Sequence, residues 1–452
     1  MKNMRELIIL FFCLILGINS AFAYDLVLPK EKRTIVNTKY AFFIGKAKNS
    51  ENIIINDNKV YVASNGAFAH SVKLKDGENR IVIRSNFSAQ IYKIYKNPEE
   101  KQIVPELVEF EPKLYLVKKD NTPLRDTPVN QGMNRISHLF KDTNLLIDGQ
   151  KGDFYRVFLS KNNHAWIDKN SVKENRNDIE TPKFISMNSR TYKNASVHII
   201  EFSEKIPYTV SEDEQEIVFK IYNPQASDSS IYTVNIRKPE KYTYKTNLAN
   251  GVYQFKVNEL PKNENPTLEN LTITVDAGHG GNEKGALGCL GDEEKDINLA
   301  IAIELADLLK QMGANVIMTR ECDGTVSLDD RVKIAQENDS NIFISIHLNS
   351  IPDIEMNIHK NRGTSIYYYN PNSKKLAETV YETVTKALDT RKDGVKTASF
   401  AVIRPTDYVG ILIETAYMTN PLDSVLYKDE SFARETAKAI ADGVFNYVNS
   451  DK

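Results

Sequence analysis

Residues 272–281 read TITVDAGHGG, and this stretch decides the fold of the C-terminal part of the chain. Its apolar run, rich in β-branched residues, predicts a buried strand. The strand leads into an acidic residue and then a glycine-rich turn that carries one histidine, His279. Glycines at 278, 280 and 281 allow a sharp turn and leave room beside the ring. The stretch therefore predicts a strand that delivers an imidazole to the rim of a sheet.

From residue 271 onward, predicted strands alternate with amphipathic helices, which is typical of an α/β domain with a mostly parallel sheet flanked by helices. We expect this domain to span 271–450. The predicted strands cover 272–275, 315–319, 342–347, 364–369 and 410–414. The predicted helices cover 296–312, 327–338, 373–390 and 431–447. Ser327, with Asp330 three residues on, is the expected cap of the second helix.

Three candidate site residues, His279, His347 and Glu414, stand at the carboxyl ends of separate predicted strands. In an open parallel sheet these ends form the ligand crevice. Glu294, with Glu293 beside it, precedes the first long helix at the same edge. Two histidines and a carboxylate suffice to hold a catalytic zinc, and a further carboxylate can serve as general base and acid. A purely structural role for the histidines is the alternative at this point.

The composition excludes some partners and indicates a multidomain chain. Its 452 residues predict about two to four domains. Apolar residues make up 41% and charged residues 26%, as expected for globular domains. The net charge of −2 gives no reason to expect nucleic acid or an anionic membrane as a partner. We expect a monomer.

The N-terminus predicts a signal peptide over residues 1–23. Lys2 and Arg5 precede an apolar run over 7–18, and Ala-Phe-Ala follows at 21–23. The run is shorter than the about 20 residues that span a bilayer. We therefore expect cleavage after Ala23 and an exported protein without an integral membrane segment, in the periplasm or in the cell wall and extracellular space.

Three small all-β modules are expected upstream of the α/β domain, since short strands alternate with turn signals. Residues 24–97 resemble an immunoglobulin-like β-sandwich, 113–173 a bacterial Src-homology-3-like barrel, and 183–257 a β-sandwich similar to AMIN-type domains. Polar linkers are predicted at 98–112, 174–182 and 258–270. The single tryptophan, Trp166, is expected in the barrel core, with a ligand platform as the alternative.

Five ordered motifs carry a resemblance to a known family. They read TVDAGHGG, GDEEKDINLAIAIELADLL, SLDDRVKIAQENDSNIFISIHLNS, GTSIYYYN and VGILIETAYMTNPLDSVLY. Residues 271–448 thereby resemble the zinc-dependent N-acetylmuramoyl-L-alanine amidases. The resemblance implies that one Zn²⁺ is bound by His279, Glu294 and His347. It also implies that Glu294 is the ligand rather than Glu293, and that Glu414 is the catalytic acid/base.

The resemblance further implies the activity and the substrate. The expected reaction is hydrolysis of the amide between N-acetylmuramic acid and L-alanine in peptidoglycan. Asn349 and Arg404 are expected to contact substrate or to support the ligands. A zinc peptidase acting within the stem peptide and a non-catalytic cell-wall-binding protein are the alternatives.

Three further expectations concern loops of the predicted α/β domain. Some relatives insert a plug helix after the second histidine, but residues 351–362 are too few for a bulky autoinhibitory helix. His359 in this loop is expected to be solvated. Cys289 and Cys322 follow neighbouring strands at the same edge, which allows a disulfide between them.

Overall fold

The structure is a computed structural model in which three β-rich regions precede an α/β domain. The described residues are 24–48, 52–86, 88–98, 105–175, 181–225, 230–262, 265–351, 357 and 360–450. The expected signal peptide, His359 and much of the loop 351–362 lie outside them. Within the described ranges, no helix is both long enough and apolar enough to cross a bilayer.

The first region consists of two sheets that share one core. Its strands are β1 (Tyr24–Leu28), β2 (Arg33–Val36), β3 (Tyr40–Ala47), β4 (Ile53–Ile55), β5 (Asn58–Val60), β6 (Ala67–Lys73), β7 (Gly77–Arg84) and β8 (Ala89–Lys96). The sheet orders are β1-β3-β6 and β2-β8-β7-β4-β5. In β7, Ile81 and Ile83 are buried while Arg80 and Arg84 are exposed, because successive side chains of a strand point to opposite faces.

The second region is one seven-stranded antiparallel sheet, in the order β11-β10-β14-β13-β12-β9-β15. Its strands are β9 (Val108–Val117), β10 (Thr122–Arg125), β11 (Arg135–Leu139), β12 (Asn144–Lys151), β13 (Phe154–Ser160), β14 (Asn163–Asp168) and β15 (Val172–Glu174). The predicted linker 98–112 is wrong at its C-terminal end, because β9 pairs with β12 from Val108 onward.

Trp166 is not a core residue, which corrects the sequence-based expectation. Its neighbours in β14, Ala165 and Ile167, are fully buried, whereas Trp166 is partly exposed on the opposite face. Successive side chains of a strand point to opposite faces, so a shift of one residue along the strand decides whether a side chain lies in the core.

The third region contains a four-stranded sheet, β16-β17-β22-β21, and a three-stranded sheet, β18-β19-β20. Its strands are β16 (Phe184–Tyr192), β17 (Ala195–Phe202), β18 (Tyr208–Glu212), β19 (Glu216–Tyr222), β20 (Ile231–Arg237), β21 (Tyr242–Ala249) and β22 (Val252–Glu259). Its core is continuous with that of the second region. Tyr208 also donates a 2.7 Å hydrogen bond to the carbonyl of His138, so the two regions are packed against each other.

The α/β domain has a six-stranded sheet in the order β24-β23-β25-β28-β26-β27. Its strands are β23 (Thr272–Ala277), β24 (Asn315–Met318), β25 (Ile342–Asn349), β26 (Thr364–Tyr368), β27 (Lys392–Thr397) and β28 (Val409–Tyr417). Its helices are α1 (Glu294–Gln311), α2 (Leu328–Glu337), α3 (Lys374–Ala387), α4 (Pro421–Tyr427) and α5 (Phe432–Val448). The first four strands of the order are parallel, and β26 runs antiparallel to β28. The sheet is therefore mostly parallel.

Helices cover both faces of this sheet, and the strand sequences explain why. Ile342, Ile344 and Ile346 of β25 pack on the face that α1, α3 and α5 cover, whereas Phe343 packs on the face of α2. A strand buried on both faces is mostly apolar, and the first five residues of β25, all of them buried, include one polar side chain, Ser345. Each fully buried apolar side chain contributes about 1.5–3 kcal/mol.

The element boundaries differ from the predictions at one functionally important place. Helix α1 begins at Glu294, two residues earlier than predicted, so this carboxylate lies in the first helical turn. Ser327 caps α2 as predicted, since its hydroxyl accepts a 3.1 Å hydrogen bond from the amide of Asp330. Strand β27 and helix α4 were not predicted.

The first and third regions both contact the α/β domain. The amide of Tyr244 in β21 donates a 2.7 Å hydrogen bond to the carbonyl of Thr406. On another side, buried Cys289 packs with Ile44 and Ala67 of the first region. Cys289 and Cys322 are free thiols, the second of them exposed, so the disulfide that the sequence allowed is not formed in this structure.

Candidate metal centre and active-site cleft

The turn after β23 holds His279 in a left-handed backbone conformation, with φ of 60°. Such a conformation is uncommon for a residue other than glycine, and it clusters at functional sites. Gly278 precedes it, and a Cβ atom at Gly278 would lie 2.4 Å from the Nε2 of His347. Only glycine therefore lets the two imidazole rings approach to 4.9 Å between their centroids.

Glu294 lies between the two histidines and contacts both. Its Oε2 lies 3.2 Å from His279 Nε2, and its Oε1 lies 2.9 Å from His347 Nδ1. The backbone amides of Ala286 and Leu348 donate to the same carboxylate, at 2.8 and 3.1 Å. Potential ligand atoms of the three side chains all lie within 4.8 Å of one another. The structure thus brings together a His-Glu-His triad that could hold a metal ion.

The hydrogen bonds around Glu294 keep it ionised. Burial by itself would raise the pKa of Glu294, but the contacts with His279 and His347 hold that pKa well below its usual range. Glu293 lies outside the triad, since its carboxylate pairs with Lys284 and lies 3.4 Å from the Nζ of Lys295. Of the two adjacent glutamates, only Glu294 is placed to bind a metal.

Glu414 lies on β28 directly opposite His347 of β25 in the parallel register. Burial, with a smaller contribution from the negative charge of Glu294, raises the pKa of Glu414 to about 7. Its Oε2 is buried and accepts no hydrogen bond from the described residues. A carboxyl group with a pKa near neutrality beside a metal triad can both accept and return a proton.

These four side chains line one open cleft of about 930 Å³. Apolar side chains also line it, including Leu328 at the start of α2 and Phe400 before β28, which are 58% and 39% exposed. Asn349 also lines the cleft. Arg404 does not line it; its guanidinium donates a 3.0 Å hydrogen bond to the carbonyl of Ser399 and faces an adjacent pocket.

Two buried arginines that sequence reasoning missed hold the histidine turn in place. Arg331 on α2 pairs with Asp276 and donates a 2.7 Å hydrogen bond to the carbonyl of His279. Arg320, after β24, donates to the carbonyls of Ala277 and Gly278, at 2.9 and 3.0 Å. The only sequence signal of this arrangement was Asp276, the acidic residue at the end of TITVD. Nothing in the sequence indicated that Arg331 is its partner.

The fold and the triad together define the class of this protein, which is an α/β domain with a possible metal centre at the carboxyl ends of its strands. Residues 273–446 match the family model Amidase_3, described as N-acetylmuramoyl-L-alanine amidase. The chain is 36% identical over 186 residues to the uncharacterized protein YqiI of Bacillus subtilis, covering 40% of this chain and 87% of that protein. The chain therefore belongs to the N-acetylmuramoyl-L-alanine amidase family, as the motifs implied.

Other relatives match over the same part of the chain. N-acetylmuramoyl-L-alanine amidase LytC of Bacillus subtilis is 37% identical over 180 residues, which are 39% of this chain and 35% of LytC. Probable cell wall amidase LytH of Staphylococcus epidermidis is 33% identical, over 40% of this chain and 60% of LytH. The solved structure of N-acetylmuramoyl-L-alanine amidase AmiC2 of Nostoc punctiforme is 35% identical, covering 39% of this chain and 96% of that one, with a TM-score of 0.37.

Proposed function

We propose that this chain is an exported, zinc-dependent hydrolase that cleaves the amide bond between N-acetylmuramic acid and L-alanine in peptidoglycan. One observation carries the proposal: in a family of amidases, a His279–Glu294–His347 triad stands beside the buried Glu414, whose Oε2 has no hydrogen-bond partner among the residues that the structure describes. The names of LytC and LytH support the reaction and the cell-wall substrate.

The donor set fits zinc. Two imidazoles and one carboxylate are the protein ligands of many catalytic zinc sites, which keep a further position open. A zinc ion bound there would polarise the scissile carbonyl and activate water. Glu294, kept anionic by its hydrogen bonds, is the charged ligand, and the amides of Ala286 and Leu348 fix the orientation of its carboxylate.

Glu414 acts as the proton carrier of the reaction. Its carboxyl group lies next to His347, so it is within the same part of the cleft as the triad. With a pKa of about 7, it is partly ionised at neutral pH, accepts the proton of the attacking water, and then donates it to the departing amine. Asn349, on the cleft wall, orients the substrate by hydrogen bonding.

We propose that the three β-rich regions are immunoglobulin-like, Src-homology-3-like and AMIN-type modules that hold a monomeric enzyme on the cell wall. Trp166, partly exposed on the face of β14 that lies away from the core, is available as a ligand platform. Export follows from the signal peptide predicted over 1–23. N-terminal sequencing of the secreted protein is expected to begin at Tyr24.

The decisive experiment is a digest of purified peptidoglycan with the zinc-loaded enzyme, followed by mass spectrometry. The expected products are intact free stem peptides and glycan chains without peptides. Shortened stems that stay attached to the glycan would instead identify a peptidase. No release by a folded protein containing zinc would leave a wall-binding protein as the function.

A further inference from the structure

A second pocket adjoins the cleft where the second region, the third region and the α/β domain meet. Its volume is about 530 Å³. Arg135 and His138 of β11, Tyr244 of β21, and Arg404 of the α/β domain line it. Ala401 lines both this pocket and the active-site cleft, so one short turn separates the two.

Three arginines lie at this pocket or near it, and two of them, Arg135 and Arg404, line it. Arg125, Arg135 and Arg404 lie near enough for their charges to act on one another and on His138. In the described part of the chain, none of the three forms a salt bridge with a carboxylate. Arg125 is satisfied by neutral acceptors, including Asn130 and Asn134, each at 2.8 Å.

Arg135 differs from the other two in one guanidinium nitrogen, its Nε. Its Nε is buried and has no hydrogen-bond partner among the described residues. A buried donor without an acceptor costs free energy, so a turn of the Arg135 side chain that brings its guanidinium against an anion in the pocket is favoured. The guanidinium group presents several donors in one plane and matches a carboxylate.

His138 reports the local charge. Burial and the neighbouring arginines lower the pKa of His138 to about 4, so the ring is neutral at physiological pH. The aspartates of the pocket wall are Asp120, Asp329 and Asp407, and its lysines are Lys245 and Lys333. The charge of Asp329 acts to raise the pKa of Arg404 and offsets that arginine in part, while Arg135 and Arg404 give the pocket wall its two guanidinium groups.

The pocket has a fixed position relative to the cleft. A Cβ atom at Gly132, in the loop before β11, would lie 2.5 Å from the side chain of Ser399. Ser399 directly precedes Phe400 of the cleft wall, so the loop of the second region touches the segment that separates cleft and pocket. The second and third regions share one core, which includes Leu139 of β11 and so holds the strand that carries Arg135 against the third region.

We infer that this pocket binds a carboxylate of the peptide part of the substrate, with Arg135 and Arg404 as the donors. The inference rests on the proposed function, because it places in this pocket the carboxylate end of a peptide whose scissile amide bond lies in the cleft. It makes the second region part of the substrate-binding surface of the enzyme. Arg135 and Arg404 thereby select stems that end in a free carboxylate.

The test compares two muramyl peptides that differ only at the C-terminus, one a carboxylate and the other a carboxamide. The full-length zinc enzyme is expected to show a lower KM for the carboxylate. Loss of a charge-assisted hydrogen bond corresponds to roughly tenfold or more in affinity. Arg135→Gln should raise KM for the carboxylate substrate by that factor and remove the difference between the substrates, and Arg135→Lys should restore part of it.

Arg80→Gln is the matched control, since Arg80 is an exposed arginine of β7 and lies outside the pocket. Equal KM values of the wild-type enzyme for both substrates, or an unchanged preference in a folded Arg135→Gln variant, would overturn the inference. Calorimetric binding of the free stem peptide and of its carboxamide separates this inference from the proposed function. Binding that needs both the carboxylate and Arg135 supports the pocket even if neither muramyl peptide is cleaved.

Discussion

Arg331 and Asp276 form an ion pair that is almost completely buried, and the same arginine donates a hydrogen bond to the carbonyl of His279. Thr319 and Ser345 donate to the two oxygens of Asp276, at 2.7 and 2.6 Å. The network joins β23, β24, β25 and α2 directly beside the proposed metal ligand. It therefore couples the stability of the sheet edge to the position of the first histidine.

Asp276→Asn is expected to destabilise the protein and to weaken zinc binding. The substitution leaves Arg331 buried without a counter-charge, and breaking a buried pair costs about 3–5 kcal/mol. Urea unfolding and zinc titration measure the two effects. Asp442→Asn removes the exposed partner of Lys438, at 3.4 Å, and should cost less than about 1 kcal/mol. Equal losses in both variants would contradict the proposed importance of burial.

Glu414→Gln should abolish release of stem peptides while the protein keeps its zinc. The amide cannot accept the proton of water, and loss of a general base lowers kcat by about 10²–10⁴-fold. Peptide release and metal analysis on the same preparation measure both properties. Glu304→Gln, on an exposed position of α1, is the control and should retain activity. Full activity in the Glu414 variant would refute its catalytic role.

The adjacent glutamates give a direct test of the metal ligand. Glu294→Gln should lose most of its zinc, because Glu294 contacts both histidines. Glu293→Gln should keep one zinc per chain, since this residue pairs with Lys284 instead. Metal analysis after dialysis against a weak chelator distinguishes them. The reverse result would make Glu293 the ligand.

Gly278→Ala should reduce zinc binding although it adds only a methyl group and leaves the proposed ligands unchanged. A Cβ atom there would lie 2.3 Å from the Cε1 of His347, so the imidazole must move. Gly324→Ala is the matched control, because a Cβ atom at Gly324 would meet nothing within 4 Å. Zinc affinity of the two purified variants is the measurement. Wild-type affinity in Gly278→Ala would show that the close approach is not required.

The two cysteines of the α/β domain should differ sharply in reactivity with a thiol reagent at pH 8. Burial raises the pKa of Cys289 to about 12, so at pH 8 its thiol is protonated and shielded, and only a much higher pH would ionise it. Cys322 is exposed and should be labelled in the native protein. Peptide mapping by mass spectrometry locates the label before and after unfolding. If neither cysteine is labelled and mass spectrometry finds the two joined by a disulfide bond, the prediction of two free thiols is wrong.

Local sequence patterns predicted a large part of the α/β domain. The strand over 342–347 became β25 (Ile342–Asn349), and the strand over 410–414 became part of β28 (Val409–Tyr417). The strand-end positions of His347 and Glu414 followed from these patterns, because carboxyl ends of parallel strands share one edge. Trp166 was misplaced, since burial of a strand residue depends on which face meets the rest of the protein.

The sequence by itself determined most strands of the α/β domain, though not β27, together with the glycine turn that carries His279 and the membership of the chain in its family. Only the tertiary structure decided that Arg331 pairs with Asp276, 55 positions away, and that Arg135 and Arg404 from different regions line one pocket. Periodicity and turn chemistry act over a few neighbouring residues, so they are legible in the sequence. The partner of a buried charge is set by how separate elements pack, and a single sequence carries no local signal of that packing.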